Sequence, residues 1–197
     1  MALFKPEVKQ GTSFNGICKC AIVGFEDKSA EYEWADMFIN VIVKQEGSDY
    51  TRNIPIKGSV EKDANGVVTG GTFFSKLYEM FTTLGCDAGI NINGDWEDGK
   101  GNAITDIADY LDSRYAVDAN NVNSFPYLGY FYKGAPSAPG KPSYNKALGS
   151  LVLNTAEGRA NLESKKLWMQ KKGYLKEFDP SATPEPVELQ DAALGNL

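Results

Sequence analysis

The sequence predicts a mainly β, β-rich α+β fold: a five-stranded barrel with a helix between strands three and four, then a C-terminal helix and a disordered tail. Apolar residues alternate at period two along several segments, which is typical of strands with one face in a core. A single strongly helical segment interrupts these strands, and residues 179–197 combine prolines, small residues and acids. Strands and helices do not alternate regularly, so the order does not fit a doubly wound parallel sheet.

The clearest strand pattern is a hairpin within residues 33–56. One row of its first strand is entirely apolar: Ala35, Met37, Ile39, Val41 and Val43. The opposite row is mixed: Trp34, Asp36, Phe38, Asn40, Ile42 and Lys44. After a loop containing Gly47, a second run places four residues on one face: Tyr50, Arg52, Ile54 and Ile56. Two such runs joined by a short loop predict a hairpin.

A first strand is predicted over residues 16–25. One of its faces carries Ile17, Lys19, Ala21, Val23 and Phe25, and the other carries Cys18, Cys20 and Ile22. A glycine inside a strand indicates a bulge or sharp bend. We therefore expect Gly24 to bend this strand so that it serves both halves of a small barrel.

After the hairpin, residues 63–66 (Asp-Ala-Asn-Gly) predict a tight turn. Thr72 is then expected to cap a helix that ends at Gly85, because its apolar residues fall at helical spacing. A second, shorter helix is predicted over residues 104–115. Strand patterns resume at residues 125–133 and 147–153.

A last helix is predicted from Asn154, which forms a capping-box pattern with Glu157, through residue 172. Its apolar residues Leu162, Leu167 and Met169 are expected to pack on the barrel. Strand, strand, strand, helix, strand, strand is the order of an oligonucleotide/oligosaccharide-binding (OB) barrel. We expect one such domain over residues 1–178, with an irregular N-terminal arm, and a flexible acidic tail over residues 179–197.

Composition limits the possible functions. The chain of 197 residues has no histidine, so the commonest general base and metal ligand are missing, and we expect neither an enzyme, a cofactor nor a bound metal. Three cysteines (Cys18, Cys20 and Cys86) are too few for a disulfide scaffold and are better explained as small buried residues. No apolar run reaches about 18 residues, so we expect no membrane span. The small, odd number of cysteines and the lack of a secretory signal pattern at the N-terminus favour a reducing, cytoplasmic location.

The formal net charge is −6, and the stretch 174–197 accounts for −4 of it, with one lysine against five acids. The body is therefore nearly neutral, which leaves room for a local basic groove. Aromatic and basic residues on or beside predicted strands fit such a groove, because single strands are held by stacked bases and by lysine or arginine at the phosphates. The candidates are Trp34, Phe38, Lys44, Tyr50, Arg52, Tyr127, Tyr130, Tyr132 and Lys133. The competing explanation is that these rings belong to the core of an ordinary β protein.

The order of elements, the modest size, the lack of catalytic residues and the acidic tail resemble the single-stranded DNA-binding proteins encoded by bacteriophages. The resemblance covers about residues 16–153 and 179–197. It implies sequence-tolerant binding of single-stranded DNA in replication or recombination, in the host cytoplasm if the protein is viral. It also implies a homo-oligomer, and recruitment of replication proteins through tail acids, here Glu185, Glu188 and Asp191.

Two other classes remain open at this point. A structural, virion-type β protein would use the same strand chemistry and would have no affinity for nucleic acid. An enzyme would require acids of the loop region, such as Asp95, Asp98 and Asp106, to converge on a metal ion. The loop does not have the residue spacing of a calcium-binding loop.

Overall fold

The structure is a computed structural model that describes residues 14–33, 35–138 and 140–179. In chain order its elements are β1 (Gly16–Asp27), a short 3-10 helix (Ser29–Glu31), β2 (Met37–Gln45), β3 (Thr51–Gly58), β4 (Glu61–Lys62), β5 (Val68–Gly70), α1 (Thr72–Leu84), β6 (Gly89–Ile90), β7 (Trp96–Glu97), α2 (Ile107–Tyr115), β8 (Tyr127–Lys133), β9 (Asn145–Leu153) and α3 (Ala156–Lys171). The predicted β-rich α+β class is confirmed. The predicted tail lies, apart from Asp179, outside the described residues.

Five strands form an antiparallel sheet in the order β3-β2-β1-β8-β9, which curls into a nearly closed barrel of OB-like topology. The two outer strands, β3 and β9, lie side by side without a hydrogen-bonded ladder. Pro55 in β3 has no N–H to donate to β9. The two backbones come close at this point, because a Cβ on Gly149 of β9 would lie 3.0 Å from the Pro55 carbonyl oxygen. Arg52 joins the two strands instead, because its Nη2 donates to the Lys146 carbonyl at 3.0 Å.

The predicted bulge in β1 is confirmed. The β1–β2 register shifts between Ile22 and Gly24. The strand serves both halves of the barrel, because residues 16–20 pair with β8 and residues 20–27 pair with β2. The predicted face of Phe25 is wrong for the same reason: the extra residue turns Phe25 into the core, on the side of Cys20 and Ile22. An acid on α2 stabilises the bend, since an oxygen of Asp112 accepts the Phe25 N–H at 2.7 Å.

Helix α1 covers one end of the barrel, with Phe73 and Phe81 buried against Trp96. Its N-cap is Gly71, not the predicted Thr72, whose hydroxyl accepts the N–H of Ser59 instead. Gly85 ends the helix in the left-handed conformation, as predicted.

In the described ranges no helix is both long and apolar enough to cross a membrane.

Helix α3 packs on the outside of β8 and β9 around a second, small core formed by Leu128, Tyr130, Leu148, Leu162 and Leu175. Its N-cap is Thr155, whose hydroxyl accepts the Gly158 N–H, rather than the predicted Asn154. Leu162 and Met169 pack on the barrel as expected, but Leu167 is 63% exposed because it lies on the far side of the helix.

Candidate nucleic-acid interface

An open groove of about 560 Å³ runs across the outer face of β2 and β3. The loop after β1 borders it on one side, and the start of β9 and helix α3 border it on the other. Its lining residues are Tyr32, Phe38, Asn40, Asn53, Pro55, Lys57, Lys76, Tyr132, Asn145, Lys146, Ala147, Gly149 and Met169. In OB barrels this face and its flanking loops bind oligonucleotides or oligosaccharides.

Aromatic rings lie at both sides of the groove. Tyr32 stacks on Phe38 with the ring centroids 4.7 Å apart and the planes 27° from parallel. On the other side Tyr132 stacks on Tyr130 at 5.9 Å. Period-two alternation puts Phe38 on the outer face, because its neighbours Met37 and Ile39 face the barrel core. Phe38 and Tyr130 are themselves buried, so they support Tyr32 and Tyr132, which are the rings that offer a flat apolar surface to a base.

Three lysines from three elements supply the positive charge: Lys57 from β3, Lys76 from α1 and Lys146 from β9. The Nζ of Lys76 donates to the Lys57 carbonyl at 2.7 Å, and the Nζ of Lys57 lies 5.5 Å from the centroid of the Phe38 ring. The stem of Lys146 lies against Gly134, where a Cβ would come within 2.7 Å of its Cδ. The missing side chain at Gly134 therefore leaves room for this lysine.

No carboxylate is among the described residues that line the groove. Burial lowers the pKa of Lys57, and the nearby charges of Lys76 and Lys146 lower it further. A group of like charges on a partly desolvated surface favours an anion, which would relieve their repulsion. Phosphate groups spaced along a strand would do this at several points at once.

Of the sequence-predicted residues, Phe38 and Tyr132 line this groove. Arg52 does not, because it shares the inward row of β3 with Ile54 and Ile56 and is only 9% exposed. Its Cζ lies 5.1 Å from the centroid of the buried Phe131 ring. Burial lowers the pKa of Arg52, and its role in the structure is to hold the β9 backbone at Lys146.

Three further predicted residues on β8 lie elsewhere. Tyr127 packs against the main core. Tyr130 lies buried under α3, where its hydroxyl donates to Glu177, and burial followed by this hydrogen bond raises its pKa. Lys133 is exposed, and its Nζ lies 4.6 Å from the centroid of the Phe178 ring.

The remaining candidates are dispersed. The Nζ of Lys44 donates to the Ala119 carbonyl at 2.8 Å, and Tyr50 is exposed in the turn before β3. Trp34 lies outside the described residues, as do the tail acids Glu185, Glu188 and Asp191.

Sequence reasoning missed one aromatic ring and all three lysines of the groove, namely Tyr32, Lys57, Lys76 and Lys146, as well as its asparagines. The period-two alternation of β3 could have predicted that Lys57 lies in the groove, because it follows Asn53 and Pro55 on the outward row of that strand. No local pattern links the other three, since Tyr32 lies in a loop, Lys76 on a helix and Lys146 on a distant strand. Only the closure of the barrel brings them together.

The acids of the loop region shape turns. One oxygen of Asp98 accepts the N–H groups of Lys100 and Asn102, and Asn91 does the same for Asn93 and Asp95. The side-chain amide of Asn102 also donates to Asp98, and this bond, followed by the backbone hydrogen bonds, lowers the pKa of Asp98. Over the part of the chain that the structure describes, no three cysteine, aspartate or glutamate side chains form a group able to hold a metal ion.

The fold and the groove define a class: an OB-like barrel with a basic, aromatic-lined groove on its β2–β3 face. Comparisons of this chain with protein-family models, with curated proteins and with solved structures found no match.

Proposed function

We propose that this chain is a non-enzymatic, sequence-tolerant single-stranded DNA-binding protein, and that the β2–β3 groove is its binding site. The observation that carries the proposal is the groove itself, with its three lysines, no carboxylate among its described lining residues, and aromatic rings on both sides. Bases would stack on Tyr32 and Tyr132, and phosphates would lie along Lys57, Lys76 and Lys146.

The amide side chains within the groove extend the proposal to the bases. Asn53 and Asn145 are exposed there, and a carboxamide presents both a donor and an acceptor to base edges. Because two amides cannot select among four bases at each position, the binding is expected to tolerate most sequences. We extend the proposal to a role in replication or recombination, as the resemblance to bacteriophage proteins implies, and to a homo-oligomer with tail-mediated partners.

Fluorescence anisotropy with a labelled oligo(dT) of about 30 nucleotides tests the proposal, with duplex DNA of the same length as control. We expect binding to the single strand that weakens as salt rises, and much weaker binding to the duplex. A chain that binds neither at low salt, or both equally, would overturn the proposal. The first of these results would favour a structural, virion-type protein.

A further inference from the structure

Helix α3 ends with two aromatic rings that the barrel does not cover. Trp168 is 53% exposed and Tyr174 is 65% exposed, and their ring centroids lie 5.7 Å apart at an interplanar angle of 62°. The backbone turns sharply between them at Gly173, which has a φ of +71°, and the Tyr174 N–H donates to the Met169 carbonyl at 2.9 Å. The two rings are therefore held together by the helix end.

The surface around these rings is strongly basic. Residues 165–176 contain five lysines and no carboxylate, although Lys165 pairs with Glu79 and Gln170 donates a hydrogen bond to Glu177, which follows the stretch. Three of the five are exposed: Lys171, Lys172 and Lys176. Exposed rings with exposed lysines close by in the chain match the chemistry of a nucleotide strand, in which flat bases alternate with phosphates.

One residue of the groove lining adjoins this surface in the chain. Met169 forms part of the groove lining and is the chain neighbour of Trp168, so their Cα atoms are about 3.8 Å apart. Met169 also accepts the N–H of Tyr174. A strand that leaves the groove past Tyr132 and Met169 would therefore lie within reach of Trp168.

We propose that Trp168 and Tyr174, with Lys171 and Lys172, form a second contact for the same single strand after it leaves the groove. This inference rests on the proposed function and extends its binding site. A second copy of the chain fits the surface less well, because a two-fold interface would place the lysines of one copy against those of the other.

Two oligonucleotide lengths separate the second contact from the groove. A labelled oligo(dT) of about 6 nucleotides fills little more than the groove, whereas one of about 20 nucleotides reaches past it, given that OB folds cover about 4–16 nucleotides. For Trp168→Ala we expect about tenfold weaker binding of the long oligonucleotide and less than a twofold change for the short one. Trp168→Phe, which keeps a stacking ring, should restore most of the loss.

Leu167→Ala is the matched control, because Leu167 is the preceding residue on the same helix and is 63% exposed. Equal binding of the long oligonucleotide by Trp168→Ala and Leu167→Ala would overturn the inference, while binding of the short one by the wild type would leave the proposed function standing. A wild type that binds neither length would refute both. Sedimentation without DNA tests whether a second copy of the chain occupies this surface. A dimer that Trp168→Ala dissociates would assign the surface to self-association and overturn the inference.

Discussion

Removing the three groove lysines tests whether the groove binds phosphates. The variant combines Lys57→Ala, Lys146→Ala and Lys76→Gln, which removes the charge of Lys76 and keeps an N–H donor at that position. Each phosphate contact with a single strand contributes about 0.7 to the slope of log K against log salt, so losing three lowers the slope by about 2. Relative to a reference of 1 M salt, where the electrostatic contribution vanishes, a slope of about 0.7 corresponds to about fivefold in affinity per contact at about 0.1 M salt. The triple variant, which loses three contacts, should therefore bind about 100-fold more weakly at that salt concentration.

The assay is oligo(dT) anisotropy from about 0.05 to 0.5 M salt, with thermal unfolding to confirm that each variant folds. A control with the same loss of net charge replaces Lys19, Lys62 and Lys100, none of which lines the groove, with alanine. We expect the control to keep most of the wild-type slope. Equal slopes for the two triple variants would refute the reasoning, because binding would then follow net charge rather than the groove.

Two further predictions concern packing and pH. Gly129→Ala should lower the free energy of unfolding by about 1–3 kcal/mol, measured by urea denaturation, because its Cβ would lie 2.9 Å from the ring of the fully buried Phe131; an unchanged midpoint would contradict this. The pKa of Lys57 is lowered in the free protein, and a bound phosphate would raise it again, so affinity for oligo(dT) should fall as pH rises through the lowered pKa toward 10.5. Lys57→Arg should remove part of that fall, since arginine stays charged throughout, and an identical pH profile would count against a role for Lys57.

Local sequence patterns were sufficient to predict most of the fold. The apolar row from Met37 to Val43 predicts β2, and the helical spacing after Thr72 predicts α1, because each pattern directly reflects which side chains are buried. The bulge at Gly24 was predicted as well, but its effect on Phe25 was not. A bulge moves every later side chain of the strand to the opposite face of the sheet. The number of extra residues in the bulge is set by pairing with β2 rather than by the sequence of β1 itself.

The site was less predictable, because the same residue types serve the core and the surface. Arg52 and Lys57 both lie on β3 and differ by an odd number of positions, so they point to opposite faces. Choosing the face required the observation that Ile54 and Ile56 are inward, which makes Arg52 inward as well. The block from Tyr127 to Lys133 misled for a related reason: a strand packed under α3 on one face and into the barrel on the other buries aromatics on both.

The net charge of −6 is compatible with a DNA-binding groove, because electrostatic attraction at ordinary salt is local. At about 0.15 M ionic strength the Debye length is about 8 Å, so a bound phosphate interacts with the lysines beside it and hardly with acids across the molecule. The groove lysines come from β3, α1 and β9, and the carboxylates of the described chain lie outside its lining. Folding thus separates charges that are mixed in the sequence, and this separation, rather than the overall composition, determines which surface can bind a polyanion.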